Sequence, residues 1–241
     1  MNTVRSVVFL AGAVAITAVF GILVPVGGLF GFRPAAACAN AYARVMLAWI
    51  ELSLRIRCDV EGWENVPKGP AVIMAKHQSA WETIFMEARF PPQCWIVKRE
   101  LLWLPFVGWG LIAIRCIAID RSSGQSAREQ IVAQGAERLA QGIWVSIFPE
   151  GTRVAPGKRG RYGIGGALLA TRTGAPILPM AHNAGEFWAR YAFTKRPGVV
   201  RVVIGKPIET AGRDAISVNA EVESWIEGQM RRISPERYAQ G

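Results

Sequence analysis

The chain has 241 residues, which leaves room for one large domain or for a domain with an accessory segment. Hydrophobic residues make up 51% and charged residues 19%, more apolar than a typical soluble domain, with most of the excess at the N-terminus. The formal net charge of +10 points to an anionic partner: nucleic acid, an anionic membrane surface or a phosphorylated substrate.

Residues 7–32, VVFLAGAVAITAVFGILVPVGGLFGF, carry no charge. As one helix they reach about 39 Å at roughly 1.5 Å per residue, longer than the roughly 30 Å hydrocarbon core of a bilayer. Pro25 and the Gly27–Gly28 pair are expected to break or bend this helix near its end. Two arrangements follow. One is a single tilted transmembrane helix. The other is a hairpin of residues 7–24 with a second helix near 35–57, lying partly in one leaflet. Ala43, Met46, Leu47, Ile50 and Leu54 recur at helical spacing and support that second helix. The AAACA run at 35–39 offers small residues suited to signal-peptide cleavage, but Arg33-Pro34 interrupts the apolar stretch before it, and the stretch exceeds a usual h-region. If the segment spans, Arg33, Arg44, Arg55 and Arg57 outweigh Arg5, and the positive-inside rule puts the rest of the chain in the cytoplasm.

From residue 59 short apolar runs alternate with helical stretches. The pattern predicts strands at Ala71–Ala75, Trp95–Lys98, Ile114–Ile119, Ile143–Phe148, Ile177–Ala181 and Val199–Ile204. It predicts helices at Ala80–Arg89, Gln125–Gln141, Gly165–Thr173 and Val218–Ile233. This alternation implies an α/β fold with a largely parallel central sheet flanked by helices. The expected division is a membrane-associated helical segment, 1–58, ahead of one domain, 59–241. Cys38, Cys58, Cys94 and Cys116 show no zinc-ligand spacing, and reduced thiols suit a cytosol-facing domain. His77 and His182 are the two histidines, and no metal-site pattern accompanies them.

Three segments carry polar residues to strand ends, where sites gather in open α/β sheets. The first is KHQSAWETI. His77 follows a buried strand and Glu82 lies five residues on, so the two share no helix face. A loop at His77 that folds back over the helix start lets Glu82 hold Nδ1–H and leaves Nε2 as a base. Ser79 and Glu82 also read as a capping box. The second is VKRELLWLPFVGWG, where Lys98 and Arg99 precede Trp103, Leu104, Phe106 and Trp109: an anion clamp beside an apolar surface, or a basic edge on a core loop. The third is FPEGTR, in which Arg153 offers a bidentate fork for phosphate, or a surface ion pair with Glu150.

Together these segments resemble the glycerolipid acyltransferase family, and within it the bacterial branch that acylates lysophosphatidate. KHQSAWETI looks like the family's first block, VKRELLWLPFVGWG its second, FPEGTR its third, and APILPMAHNAG its fourth. The resemblance covers roughly residues 60–210. It implies His77 as general base on a glycerol hydroxyl and Glu82 as its orienting acid. It implies Lys98, Arg99 and Arg153 as phosphate ligands, with Glu150, Gly151 and Thr152 shaping the glycerol-phosphate pocket and Pro179 in the acyl-site block. The acceptor is then lysophosphatidate and the product phosphatidate. The donor is an acyl thioester, acyl-CoA or acyl-ACP, with acyl carrier protein a possible partner; no metal, no bound cofactor and no nucleic acid take part. The implied location is the bacterial inner membrane, with catalysis at its cytoplasmic face.

Two features depart from the family pattern: Glu82 stands where Asp is commoner, and Tyr162-Gly163-Ile164-Gly165-Gly166-Ala167 replaces a lysine-rich run, for which Lys158, Arg159 or Arg161 would compensate. The rival readings are the same chemistry on another lysophospholipid, a non-catalytic membrane-anchored module for anionic lipid, and a cysteine hydrolase.

Overall fold

The computed structural model describes residues 1–90 and 92–239. Two helices open the chain, α1 (Asn2–Leu29) and α2 (Phe32–Leu54), joined through Phe30 and Gly31. They form an antiparallel hairpin, as the helical spacing of the second segment suggests. Trp49 Nε1–H donates to Phe9 O at 2.9 Å near one end, and the Pro34–Ala35 backbone meets Gly27 near the other. A Cβ at Gly27 would lie 3.1 Å from that backbone, so this glycine serves close helix packing. The break expected at Pro25 does not occur, and α1 continues to Leu29. A flanking segment supports this turn: Phe106 packs at Gly21, Gly110 at Val24 and Ala113 at Gly28.

Strand β1 (Ile56–Glu61) follows directly and was hidden in the sequence, where the second helix is expected to reach 57. Arg55 in the left-handed region ends α2, and Arg57, Asp59 and Glu61 face outward along a sheet edge, which dilutes the apolar signal. The body continues with β2 (Val72–Ala75), α3 (Trp81–Arg89), β3 (Gln93–Lys98), α4 (Val107–Ala113) and β4 (Ile117–Ile119). Next come α5 (Gln125–Ala140), β5 (Trp144–Ile147), α6 (Gly165–Thr173), β6 (Ile177–His182), β7 (Gly198–Ile204), α7 (Ala215–Ile233) and α8 (Pro235–Tyr238). The strand expected at Ile114–Ile119 is shorter than its apolar run, because Ile114 caps α4. Helix α7 starts three residues before its apolar stripe because Asp214 accepts the N–H groups of Ile216 and Ser217.

The sheet order is β1-β7-β6-β2-β5-β3-β4, and every pairing is parallel except β6 with β7. The expected α/β architecture is therefore the one formed. Side chains alternate between two apolar layers. Val72 and Met74 of β2 face α5, α6 and α7, whereas Ile73 and Ala75 face α2 and α3. The strand order also sets β2, β5 and β3 side by side, so the three polar segments leave neighbouring strands at one edge.

Candidate active site

Beyond Ala75 the main chain stays on the sheet for one more residue, with Lys76 N–H donating to Met180 O at 3.0 Å. It then loops through His77, Gln78 and Ser79 into α3. The loop folds His77 back over the helix start, and its Nδ1 lies 2.9 Å from Glu82 Oε1. The same oxygen accepts Gln78 N–H at 2.8 Å and Ser79 N–H at 2.7 Å. One carboxylate thus holds both the histidine and the loop that leads into α3. Ser79 Oγ accepts Trp81 N–H at 3.2 Å at the helix start, and the N-cap position itself falls on Ala80, so the expected capping box is not the one formed.

Glu82 is fully buried. Burial opposes its ionisation, but the nearby His182 ring, the His77 hydrogen bond and the Ser79 N–H outweigh it and hold the carboxyl below its usual range. His182 is itself kept from protonating by burial. Its Nε2–H donates to Lys76 O at 2.7 Å, and its Nδ1 accepts Ala184 N–H at 3.3 Å.

Three more contacts fix His77. Its ring stacks on Phe148 with centroids 3.9 Å apart and planes 9° apart. Its N–H donates to Glu150 Oε2 at 2.9 Å, and its carbonyl accepts Val154 N–H at 2.8 Å. Phe148 in turn stacks on Trp95 at 5.7 Å, and Trp95 Nε1–H donates to Glu87 Oε2 at 2.8 Å. The His77 side chain keeps 15% exposure, and its Nε2 makes no hydrogen bond among the described residues.

FPEGTR wraps this residue. Gly151 N–H donates to Phe148 O at 3.0 Å, closing a tight turn, and Gly151 takes the left-handed φ of +66° that favours glycine. The turn drives Glu150 inward. The surface pair with Arg153 weighed from the sequence does not form, because Glu150 is buried against Lys76 and the His77 main chain instead. Burial raises the Glu150 carboxyl, and the Lys76 ammonium opposes that rise. Thr152 stays exposed, and Arg153, half-buried, makes no side-chain hydrogen bond or ion pair among the described residues.

Lys98 and Arg99 sit exposed at the end of β3, paired with Glu100 at 3.3 Å and Asp120 at 3.2 Å. Pro179 lies inside the sheet opposite Met74, where β6 is about to take β7 as its second neighbour, so the missing N–H falls at a change of partner. The structure therefore gathers His77, Glu82 and Glu150, holds Arg153 in the same loop, and leaves Lys98, Arg99 and Pro179 in separate surroundings. Sequence reasoning passed over Lys76, Phe148, Tyr162, His182 and Glu227. A charged residue ending the apolar run AVIMAK was the one available signal, for Lys76. The YGIGGA segment turns inward as well: Tyr162 OH donates to Glu227 at 2.9 Å, and Gly163 N–H donates to Pro149 O at 2.7 Å. Arg159, a possible replacement for the lysines of that run, is engaged by Glu223 at 2.7 Å.

A family model described as Acyltransferase matches residues 57–183, more than half of the chain. The chain belongs to the acyltransferase family. It is 46% identical over 183 residues to the 1-acyl-sn-glycerol-3-phosphate acyltransferase of Pseudomonas aeruginosa, a match covering 75% of this chain and 71% of that protein. The protein of the same name from Saccharomyces cerevisiae is 30% identical over 193 residues, covering 74% of this chain and 61% of its own length. Among solved structures, the 1-acyl-sn-glycerophosphate acyltransferase PlsC of Thermotoga maritima superposes with a TM-score of 0.79 at 21% identity, covering 97% of this chain and 98% of that one. That likeness establishes the shared fold.

The aromatic floor of this acyltransferase site carries a pH signature. Burial pushes the Glu87 carboxyl up to about 7 from 4.5, with the Trp95 hydrogen bond opposing. Between those values the unfolded chain has released a proton that the folded chain retains, so folding weakens as pH rises. Glu87→Gln keeps an acceptor for Trp95 and removes the titration. The variant is expected to gain melting temperature over wild type at pH 8 and little at pH 5. Equal shifts at both values in thermal scans would contradict the assignment.

Proposed function

We propose that this acyltransferase moves a fatty acyl group from an acyl thioester to the free hydroxyl of 1-acyl-sn-glycerol 3-phosphate, forming phosphatidate for phospholipid synthesis. The observation that carries the reading is the His77–Glu82 pair, with Nδ1 held at 2.9 Å and Nε2 turned to the exposed side. Nε2 takes the hydroxyl proton as the acceptor oxygen attacks the thioester carbonyl. The C–S bond then breaks, and the proton passes to the departing thiolate. Glu82 stabilises the imidazolium formed between these steps. The chemistry needs the two substrates and no bound cofactor. Acyl-CoA and acyl-ACP both fit it.

Arg153 is the phosphate ligand in this reading, because its guanidinium is uncommitted among the described residues and its neighbour Val154 bonds the His77 carbonyl. Lys98 and Arg99 supply further positive charge at the same sheet edge, with Gly151 and Thr152 beside the acceptor and Pro179 toward the acyl site. The cysteine-hydrolase alternative loses support. Burial pushes the Cys94 thiol up to about 12 and raises Cys116 strongly, so neither forms a thiolate readily.

The expected boundary between 58 and 59 falls inside β1, which pairs with β7, so in this reading the membrane-associated segment is the α1–α2 hairpin and the catalytic domain begins with β1. Helix α1 exposes Val7, Leu10, Val14, Val19, Ile22 and Val26, and it is the one helix among the described residues long and apolar enough to cross a bilayer. The body nevertheless flanks α1 along its length. Phe9 packs on Trp188 and Ser6 Oγ accepts Lys195 N–H near the start, whereas Phe106 and Ala113 pack near the end. A spanning α1 would draw these loops into the hydrocarbon, which supports a hairpin lying in one leaflet in this reading. Free thiols and the basic surface favour the cytoplasmic face of the inner membrane.

Purified enzyme given lysophosphatidate and either thioester is expected to yield phosphatidate by mass spectrometry, and His77→Ala to lose about 10²-fold or more of that activity. Turnover with a different lysolipid alone would reassign the acceptor, and full activity in His77→Ala would refute the mechanism. Arg153→Ala is expected to raise the acceptor KM by roughly tenfold or more, as loss of a charged hydrogen bond implies. A rise in the thioester KM alone would remove Arg153 from the phosphate site. Cysteines introduced at Val7 and Val26 are expected to label from the same side of sealed vesicles; opposite sides would establish a spanning helix.

A further inference from the structure

Beneath the site lies a buried ionic cluster that the reaction does not use. Lys76 is fully buried, yet all three of its ammonium hydrogens have acceptors: Glu150 Oε1 at 2.7 Å, Glu227 Oε1 at 2.7 Å and Lys158 O at 3.2 Å. Strand alternation sends Lys76 to the α7 side of the sheet and its neighbour His77 to the Phe148 side. Glu150 links the two. Its Oε1 receives Lys76 and Gly160 N–H, and its Oε2 receives the His77 N–H. Glu227, from α7, receives Lys76 and Tyr162 OH on one oxygen.

We infer that Lys76 and Glu227 are positioning residues for His77: Lys76 keeps Glu150 as a hydrogen-bond acceptor for the His77 main chain, and Glu227, with Tyr162, holds the ammonium in place. The inference rests on His77 as the base. Two carboxylates share one ammonium, so the cluster carries a net negative charge tempered by neutral donors. Without Lys76 the two carboxylates would repel in a dry site, and one would take a proton. A proton on Glu150 would sit on Oε1, the oxygen that Lys76 leaves, and would turn Oε2 from a charged into a weaker neutral acceptor for the His77 N–H. The main chain at His77 would then shift while the Glu82 contact and the acceptor pocket remained. A displacement near 1 Å costs on the order of 10²-fold in rate.

The cluster makes a prediction that simple packing does not. Lys76→Met, which fills similar space, is expected to lower kcat by about 10²-fold with the acceptor KM within about twofold of wild type. Glu227→Gln alone keeps the Lys76–Glu150 pair and is expected to cost only a few-fold. The double variant Lys76→Met/Glu227→Gln removes the repulsion as well as the ammonium, and is expected to recover roughly tenfold over Lys76→Met. Wild-type kcat in folded Lys76→Met, or no recovery in the folded double variant, would overturn the inference. If Lys76→Met does not fold, Glu150→Gln decides. A fall in kcat at constant acceptor KM supports positioning, and any other outcome overturns it. His77→Ala is run alongside: an active His77→Ala refutes the base itself, whereas an inactive one with normal Lys76→Met refutes only the role of the cluster.

Discussion

One carboxylate oxygen organises this site. Glu82 Oε1 accepts from His77 Nδ1, Gln78 N and Ser79 N at once, and the side chain is wholly buried. The nearby His182 ring and the His77 and Ser79 hydrogen bonds keep the carboxyl ionised in a dry place. Those bonds also explain how a helix start becomes a catalytic device. The carboxylate that ties the Gln78 and Ser79 main chain to the first turn of α3 is the group that selects the His77 tautomer.

The remaining constraints on His77 come from FPEGTR. Phe148 sets the ring plane, Glu150 takes the main-chain N–H, and Val154 gives a hydrogen bond to the carbonyl. This requires β2 and β5 to be neighbours in register, and they pair directly from Val72–Val145 to Met74–Ile147. The sheet therefore performs the assembly. Two short segments far apart in sequence meet because their strands pair, and each alone specifies little. The same pairing leaves Arg153 half-buried in the loop that follows β5.

Much of this was legible in the sequence, and the failures have physical causes. The strands of the centre, Val72–Ala75 and Ile177–His182, are buried on both faces and read as plain apolar runs. Strand β1 lies at the edge and alternates charge with Cys58 and Val60, so its pattern blurs into the preceding helix. Pro25 does not break the helix, whose end comes at Leu29, just past the Gly27–Gly28 pair. Of the competing readings of Glu82, the histidine partner forms and the full capping box does not: Ala80 is the N-cap, Ser79 Oγ takes the Trp81 N–H, and Glu82 Oε1 binds loop N–H groups ahead of the helix. The surface pair of Glu150 with Arg153 that local spacing allows does not form, because nothing local announces the buried lysine at the end of the neighbouring strand β2. Glu227 carried no signal at all: a glutamate on an amphipathic helix looks solvated until the helix is docked.

The Glu in place of Asp is accommodated by the loop. With His77 outside α3 and Glu82 in its first turn, the side chain folds back over the cap and still reaches Nδ1 at 2.9 Å. The central claim is thus a statement about one proton. The chain has two histidines, which makes nitrogen-15 NMR of the imidazoles unambiguous to assign with His182→Gln as reference. For the neutral rings, His77 is predicted to carry its proton on Nδ1 and leave Nε2 bare, with His182 in the opposite tautomer. A His77 ring protonated on Nε2 would contradict the account, because the base would then have no lone pair facing the substrate.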